Sequence, residues 1–251
     1  MKLYYKDEYT KLIHGDCLEV MDKMIEKGMK FSAIITDVPY GTTKCKWDSI
    51  IPFNDMWSKL KQLRNKDSPI ILFGSEPFSS NLRMSNIQEY KYDWYWNKTK
   101  PVGFANAKKM PLKDIETISV FYQSLPTYNP QGLEKCDRII SNSTKQIKQN
   151  NITAINGGAF KTNTFIQEYT NYPRQILKFS VQQGLHPTQK PIALMEYLIN
   201  TYTNENNLIL DFTSGSGTTL VAAKKLYRQC IGIELDEKYC EIAKTRLESI
   251  A

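Results

Sequence analysis

Four residues with the chemistry to hold an exocyclic amine follow a short apolar run near the start of the chain. Asp37-Val38-Pro39-Tyr40 comes directly after residues 31–36, which predict a buried strand because they are apolar and β-branched. The Asp37 carboxylate and the Val38 carbonyl oxygen can accept the two N–H bonds of an amine, and the Tyr40 ring can stack on the ring that carries it. Ligands of open α/β sheets bind at the carboxyl ends of strands. The tetrapeptide is therefore a candidate catalytic site, although a plain strand end with a Pro-Tyr turn gives the same pattern.

A second chemical signature lies near the other end of the chain. Residues 207–211 predict another buried strand, and the glycine-rich residues 212–219 follow it and open a helix. Glu234 ends the next predicted strand, 23 positions after Asp211 (234 − 211). This order of strand, glycine loop, helix, strand and acid is typical of a Rossmann-type nucleotide site. Its glycines permit close backbone approach, the helix-start amides can receive a carboxylate, and the acid can bind ribose hydroxyls.

The order of these segments resembles that of one enzyme family. Between them lies His-Pro-Thr-Gln-Lys-Pro at residues 186–191. With this block the chain resembles the S-adenosylmethionine-dependent amino DNA methyltransferases of the circularly permuted β class. That family carries Asp-Pro-Pro-Tyr, a target-recognition region, His-Pro-Thr-Gln-Lys-Pro and Asp-Pro-Phe-x-Gly-Ser-Gly-Thr-Thr in this order. The resemblance covers nearly the full length.

The resemblance implies an α/β fold of the Rossmann-like methyltransferase type. The sheet is expected to be mostly parallel, circularly permuted and covered by helices on both faces, with an irregular inserted target-recognition region. Residues 1–123 are then the catalytic half of the methyltransferase domain, and residues 124–180 the target-recognition region. Residues 181–251 are the S-adenosylmethionine-binding half of the same domain.

The implied activity is methyl transfer to the exocyclic N6 of an adenine that is flipped out of DNA. Asp rather than Ser at position 37 favours adenine in the resembled family. An N4-cytosine methyltransferase is the first alternative. A catalytically silent DNA-binding relative is the second, because two motifs depart from the family: Val38 replaces a proline, and Phe212-Thr213 stands where Pro-Phe is usual.

The residues expected to contact S-adenosylmethionine come from the donor blocks and from a Gly-Asp turn near the N-terminus. They are Asp16, Thr188, Lys190, Asp211, Phe212, Thr213, Ser214, Gly215, Ser216, Gly217, Thr218, Thr219 and Glu234. Asp16 is expected near the donor's adenine, and Thr188 and Lys190 at its methionine end. Asp16 is equally well placed to cap the helix that follows it.

The charge balance favours an anionic partner. The chain has 33 basic and 26 acidic residues, a net charge of +7, and a sequence pI near 9.0, which fits double-stranded DNA but is also compatible with ordinary solubilising charge. A lysine-rich loop between two predicted strands suits phosphate contacts, and the Asn- and Gln-rich residues 124–180 suit base reading. The expected DNA-binding residues are Lys44, Lys46, Lys98, Lys100, Lys108, Lys109, Arg138 and Arg174. Trp94 and Trp96 are predicted to be core residues.

The remaining composition predicts a cytoplasmic protein without a metal site. The five cysteines form no C-x-x-C pair, and only two histidines are present, so the thiols are predicted to be reduced. There is no apolar stretch of the roughly 18–20 residues that a membrane span requires, and no signal-peptide pattern. Family members often form homodimers, but the sequence identifies no interface. It leaves the existence of a cognate restriction endonuclease open.

Overall fold

The computed structural model describes residues 1–42, 48–141, 164–182 and 189–250. Three predicted site residues, Lys44, Lys46 and Thr188, lie outside this part of the chain. The described residues belong to two compact units. The larger unit contains Met1–Asn129 and Arg174–Ala251, and the smaller contains Pro130–Pro173.

The chain alternates strands and helices in both of its terminal parts. The strands are β1 (Lys2–Lys6), β2 (Thr10–His14), β3 (Ala33–Thr36), β4 (Ile70–Gly74), β5 (Tyr90–Val102), β6 (Lys113–Phe121), β7 (Glu134–Ser141), β8 (Thr164–Thr170), β9 (Ile176–Lys178), β10 (Leu208–Asp211) and β11 (Gln229–Glu234). The helices are α1 (Cys17–Glu26), α2 (Phe53–Gln62), α3 (Phe78–Ser85), α4 (Ile192–Tyr202), α5 (Thr218–Lys225) and α6 (Glu237–Glu248). A short 3₁₀ turn, Phe104–Asn106, lies between β5 and β6.

The larger unit is built on one sheet with the strand order β1-β2-β11-β10-β3-β4-β6-β5-β9. Across the sheet, the neighbouring strands in the run β2-β11-β10-β3-β4 are all parallel, and β5 is parallel to β9. The pairs β1–β2, β4–β6 and β6–β5 are antiparallel. The mostly parallel α/β sheet is thus confirmed. In the smaller unit, β7 and β8 form a two-stranded antiparallel sheet.

The centre of the sheet joins the two ends of the chain. β10 and β3 are parallel neighbours, with Leu210 beside Ile34, but they continue in opposite directions across the sheet. β10 leads through α5 to β11 on one side, and β3 leads through α2 to β4 on the other. Such a switch point opens a crevice at the carboxyl ends of the two strands. Asp211 ends β10 and Asp37 follows β3, so the fold brings both acids to this crevice.

Alternating side chains of the central strands pack into two cores, one on each face. Ile34 of β3 packs with residues of α1, α2 and α3, whereas its neighbour Ile35 packs with residues of α4, α5 and α6. This period of two is the geometry of a strand that is buried on both faces. The helices therefore cover both faces of the sheet, as predicted. Trp94 and Trp96 are buried in the core, with relative exposures of 3% and 2%.

A long hairpin formed by β5 and β6 projects from the edge of the sheet that carries the crevice. β4 ends at Gly74, which pairs with Thr117 of β6, and Thr117 pairs in turn with Tyr95 of β5. Residues 96–116 therefore extend beyond the carboxyl end of β4. We call this segment the projecting hairpin. Three of its lysines, Lys100, Lys108 and Lys109, are exposed.

No helix in the described residues is long and apolar enough to cross a membrane.

Candidate active site and donor site

A cavity of about 430 Å³ lies at the switch point between β10 and β3. Its lining combines the tetrapeptide after β3 with the glycine loop after β10. The predicted residues that line it are Asp16, Asp37, Val38, Pro39, Tyr40, Lys190, Asp211, Phe212, Thr213, Ser214, Gly215, Ser216, Thr218, Thr219 and Glu234. The fold thus brings together in one cavity residues from Asp16 to Glu234, which lie 218 positions apart in the sequence (234 − 16).

The Asp37 carboxylate is held at both oxygens. The Tyr40 hydroxyl donates a hydrogen bond to Oδ1 at 2.5 Å, and the Lys190 ammonium donates to Oδ2 at 2.5 Å. The Tyr40 ring packs against Phe78 with the ring centroids 5.1 Å apart. Burial, followed by the nearby Asp37 charge, raises the pKa of Tyr40 well above its ordinary value, so its hydroxyl keeps its proton and remains a donor.

Lys190 contacts a second carboxylate that comes from the base of the projecting hairpin. Its Nζ lies 3.3 Å from Oε2 of Glu116, and Glu116 forms a further ion pair with Lys98. Burial alone would lower the pKa of Lys190, but the Asp37 and Glu116 carboxylates outweigh it and raise that pKa above its ordinary value. Lys190 is therefore a charged ammonium although its side chain is only 6% exposed.

These contacts concern two predicted residues. Lys190, expected at the methionine end of the donor, lines the cavity and has its ammonium on Asp37 and Glu116. Lys98, expected to contact DNA phosphates, has a side chain that is only 15% exposed and is committed to Glu116. Because its ammonium is shielded and paired with the Glu116 carboxylate, Lys98 does not present a free charge to DNA.

Hydroxyl contacts of Thr36 and Thr213 join the end of β10 and the donor loop to the end of β3 and the catalytic tetrapeptide. The Thr36 hydroxyl donates to Asp211 Oδ1 at 2.6 Å and lies 2.7 Å from the Thr213 hydroxyl. The Thr213 hydroxyl in turn donates to the backbone carbonyl of Asp37 at 3.1 Å. Burial is the main cause that raises the pKa of Asp211 from 3.8 to about 6. Thr213 therefore replaces an expected aromatic residue with a polar connection between the two loops.

Phe212 points its ring into the protein core. It is 1% exposed and belongs to the same apolar cluster as Val38 and Phe78, although it also borders the cavity. The aromatic residue of the altered Phe-Thr pair thus contributes packing beneath the site. Val38, the other departure from the family pattern, is 4% exposed in this cluster, so an apolar side chain of valine size fills the position.

The glycine loop is fixed by the acid at the end of β11. The Gly215 amide donates to Glu234 Oε2 at 2.7 Å, and the Asp236 amide donates to Oε1 at 2.8 Å. Burial raises the pKa of Glu234. Gly217 does not line the cavity: its φ is +77°, and an added Cβ would lie 2.7 Å from the Ala243 Cβ. Glycine is needed there for backbone conformation and helix packing.

Asp16 fulfils its structural role and also borders the cavity. One of its carboxylate oxygens accepts hydrogen bonds from the amides of Leu18 and Glu19, at 2.9 and 3.1 Å, and so caps α1. The same residue lines the cavity next to the donor loop. Cys17 follows it in the lining, and burial raises the pKa of its thiol to about 12, so this cysteine is an unreactive thiol rather than a nucleophile.

The predicted DNA-binding residues other than Lys98 are exposed wherever the structure describes them. Lys100, Lys108 and Lys109 lie on the projecting hairpin, and Arg174 follows the smaller unit in the chain. Arg138 lies on β7, within the smaller unit. The structure therefore leaves these five side chains available to an anionic partner.

Comparison with known proteins identifies the family. The family model for DNA methylases of the N6/N4 type matches residues 31–245, which include every block described above. The chain belongs to this family. The methyl donor of these DNA methylases is S-adenosylmethionine. The match begins at the strand before the catalytic tetrapeptide and ends within α6.

Two curated DNA methylases are similar over almost the whole chain. Type II methyltransferase M1.MboII of Moraxella bovis is 28% identical over 265 residues, which cover 97% of this chain and 98% of the relative. Type II methyltransferase M2.LlaDCHI of Lactococcus lactis subsp. cremoris is 29% identical over 271 residues, which cover 98% and 92%. These alignments span both the catalytic and the donor parts of the fold.

Two solved structures share the fold. The crystal structure of the M1.HpyAVI–SAM complex superposes with a TM-score of 0.64 at 25% identity and covers 95% of this chain and 98% of that chain. The structure of PvuII DNA methyltransferase (cytosine-N4-specific) gives 0.67 at 16% identity and covers 100% and 91%. The second likeness is one of fold alone, so it carries no information about the target base.

The cavity suits S-adenosylmethionine in both charge and size. Its volume falls in the usual range for small-molecule sites, roughly 300–1,000 Å³. Among the described residues that line it, Lys190 is the only lysine or arginine, and its charge is already paired. The buried carboxyl groups of Asp211 and Glu234 both have raised pKa values, so a cation stabilises their charged forms. The donor brings a sulfonium, an ammonium and ribose hydroxyls that suit these groups.

Sequence reasoning missed three residues of the site: Thr36, Glu116 and Gln189. Thr36 reads as one more β-branched strand residue, and Glu116 lies in a strand with no motif around it. Gln189 lies within a recognised block and lines the cavity. Its side-chain oxygen is buried and has no hydrogen-bond partner in the described part of the chain. Thr36 and Glu116 take their roles from contacts with residues of neighbouring strands, and Gln189 takes its role from its place in the cavity lining.

Proposed function

We propose that this DNA methylase is site-specific and methylates the exocyclic N6 of adenine in double-stranded DNA, with Asp37 receiving the target amine. The observation that supports this most is the position of Asp37 after β3, at the switch point, in the same cavity as Asp211 and Glu234. A carboxylate acceptor for an amine and a site for a cationic nucleotide-like donor therefore adjoin one another. Membership of the family identifies S-adenosylmethionine as the methyl donor. Asp rather than Ser at position 37 favours adenine over cytosine.

The donor would be held by side chains that the fold has already fixed. Glu234 is rigidly placed by two backbone amides, so its remaining lone pairs are available to ribose hydroxyls. Asp211 and Glu234 supply negative charge beside a cationic ligand. Asp16 borders the same cavity. When bound, S-adenosylmethionine supplies an electrophilic methyl group.

The tetrapeptide would hold the target amine in the orientation that the transfer needs. An adenine must leave the duplex to reach the cavity, at a cost of about a few kcal/mol in lost stacking and pairing. Tyr40 stacking replaces part of that loss. Asp37 and the Val38 carbonyl accept the amine's N–H bonds and stabilise the positive charge that grows on the nitrogen during attack. The resulting ammonium is acidic and gives its proton to Asp37 or water.

DNA contacts are proposed at the exposed basic side chains. The projecting hairpin extends from the same edge of the sheet as the cavity and presents Lys100, Lys108 and Lys109. Lysines so placed neutralise phosphates and position the duplex without reading its sequence. Arg138 and Arg174 are exposed basic residues within residues 124–180, the region expected to recognise the target. Lys44 and Lys46 lie outside the described residues and keep the same proposed role.

An N4-cytosine methyltransferase is the second candidate, because cytosine also presents an exocyclic amine to an acceptor such as Asp37. The similarity of fold to a cytosine-N4-specific enzyme does not discriminate between the bases.

A cytoplasmic location, a homodimer and a cognate restriction endonuclease remain predictions. Sedimentation analysis of the purified protein tests the homodimer.

Modification-aware sequencing of DNA from cells that express the protein tests the proposal. We expect N6-methyladenine at one short motif, and none when the cells express Asp37→Ala. The matched control is Asp55→Ala, which removes an exposed acid in the first turn of α2 and leaves the mark intact. N4-methylcytosine at one motif would overturn the adenine assignment. Absence of both marks, with purified protein that binds donor and DNA, would overturn catalysis and favour the silent relative.

A further inference from the structure

Four charged side chains of alternating sign connect the projecting hairpin to the catalytic tetrapeptide. In spatial order they are Lys98, Glu116, Lys190 and Asp37, which we call the charge row. Lys98 lies on β5, and Glu116, whose cross-strand partner is Trp96, lies on β6 near the point where the hairpin leaves the sheet. Lys190 precedes α4, and Asp37 follows β3. Four separate segments of the chain thus meet in one row.

The inner members of the row are shielded from solvent. The exposed fractions of the Lys190 and Glu116 side chains are 6% and 13%. Lys190 Nζ also lies 5.1 Å from the centroid of the Phe73 ring and 6.0 Å from that of Trp96. An ammonium in these surroundings depends on its carboxylate partners because little water reaches it. The aromatic faces add a weaker attraction for the cation.

Asp37 alone would neutralise Lys190, so the second carboxylate needs a separate explanation. A lysine side chain has four rotatable bonds and can follow any single partner that moves. Glu116 lies on a strand of the sheet and is fixed from the other side by Lys98. The ammonium is thereby held between a rigid carboxylate at 3.3 Å and the carboxylate of a loop residue at 2.5 Å. The rigid partner determines where the loop carboxylate can lie.

We propose that Glu116 is a positioning residue for methyl transfer: through Lys190 it fixes the Asp37 carboxylate in the orientation that receives the target amine. This inference rests on the proposed function and deepens it. Glu116 touches neither the target base nor the donor, since it is not part of the cavity lining. Its effect therefore falls on the rate of transfer rather than on the binding of either ligand.

Every charged group that faces Lys190 enters the expected pH dependence. Burial lowers the pKa of Lys190, whereas Asp37 from the β3 loop and Glu116 from β6 raise it, and the net effect is a raised pKa. Lys98 of β5 acts through Glu116: burial raises the pKa of Glu116, but Lys190 and Lys98 together lower it, so Glu116 is ionised. Removing the Glu116 charge leaves burial opposed by Asp37 alone. The pKa of Lys190 then falls.

The test compares two substitutions that each neutralise a shielded carboxylate. Glu116→Gln removes the carboxylate from the charge row. Glu89→Gln removes one of matched exposure, 15% against 13%, that pairs with Arg64 and does not line the cavity. Steady-state kinetics on a duplex that carries the target motif give kcat and both KM values, and calorimetry gives the Kd for S-adenosylmethionine.

For Glu116→Gln we expect kcat to fall at least tenfold with KM and Kd within about twofold of wild type. The alkaline limb of its kcat profile is expected to move to lower pH. Glu116→Asp keeps the charge and should recover part of kcat together with the wild-type alkaline limb. Glu89→Gln should leave all of these unchanged. An unaltered kcat and pH profile in Glu116→Gln, or an equal loss in Glu89→Gln, would overturn the inference.

A second measurement separates this inference from the proposed function. NMR titration of lysine side chains labelled at Cε, with Lys190→Arg to assign the signal, reports the pKa of Lys190 without turnover. A fall of this pKa in Glu116→Gln but not in Glu89→Gln supports the coupling, and no fall refutes it. If the wild-type protein methylated no DNA, the proposed function would fail while this titration still decided whether Glu116 controls Lys190.

Discussion

Replacing Asp211 by asparagine should stabilise the free protein above neutral pH. Asp211 is 3% exposed at the end of β10, and burial is the main cause that raises its pKa from 3.8 to about 6. An acid with a raised folded pKa stabilises the fold below its unfolded pKa, and this contribution is lost as the pH rises through the folded pKa. At pH 8 the ionised Asp211 therefore costs about 3 kcal/mol, at about 1.4 kcal/mol for each unit of pKa.

Asparagine can occupy this position without a new cavity. Its side-chain oxygen can accept the hydrogen bond from Thr36 and the weaker one from the Thr213 amide, and the Thr219 hydroxyl can rotate to accept from the new amide. The gain in free energy of unfolding should thus approach about 3 kcal/mol at pH 8 and fall below about 1 kcal/mol near pH 4. For a chain of this length a gain of about 3 kcal/mol corresponds to a Tm increase of roughly 6–12 °C.

Urea unfolding followed by circular dichroism between pH 4 and 8 measures this difference. Asp7→Asn is a control of opposite sign: burial raises the pKa of Asp7, but Lys224 and Tyr5 outweigh it and lower that pKa. Its stabilisation is present above the unfolded pKa and lost on acidification, so Asp7→Asn should destabilise the protein at pH 8. The reasoning about Asp211 is refuted if Asp211→Asn is no more stable than wild type at pH 8, or if its gain does not vary with pH.

Three further predictions concern the loops around the cavity and the hairpin. Thr213→Val removes the hydroxyl between the two loops and should lower kcat about fivefold to tenfold, with Thr213→Ser close to wild type in steady-state assays. The double substitution Lys108→Ala and Lys109→Ala should reduce the magnitude of the slope of log K against log salt for DNA binding by about 1.8. The control Lys61→Ala, in the last turn of α2, should leave this slope unchanged. Fluorescence anisotropy at several salt concentrations measures both slopes. Gln189→Met removes a buried amide oxygen that has no hydrogen-bond partner among the described residues. Calorimetry should show that the free variant is more stable than wild type by about 1 kcal/mol. Adding S-adenosylmethionine should raise the Tm of the variant by less than that of wild type.

The sequence predicted the central strands and helices well because their signals are local. The apolar run before Asp37 and the glycine loop after Asp211 each indicate the end of a strand to within a few residues. Helix α1 begins at Cys17 because Asp16 supplies its cap, which the sequence also offered as a reading. These features depend on neighbours along the chain, so no knowledge of the sheet was needed.

The charge row could not be predicted in this way. Its members come from four segments, and the pairing of Lys98 with Glu116 depends on the register between β5 and β6, where Trp96 lies opposite Glu116. The sequence alone gives no means of distinguishing one lysine of the lysine-rich loop from another. The sheet distinguishes them, because Lys98 lies where the hairpin is still packed against the protein and Lys100 lies just beyond, in solvent.

The two departures from the family motifs have structural compensations that bear on catalysis. Val38 fills its position in the apolar cluster under the site, and Phe212 packs in the same cluster. The hydroxyl of Thr213 then reaches the Asp37 carbonyl and Thr36. A relative that had lost catalysis would have no reason to keep a buried Asp211 with a raised pKa, since its ionised form costs stability above neutral pH. This costly carboxylate in the same cavity as Asp37 therefore favours an active methyltransferase over a silent DNA-binding protein.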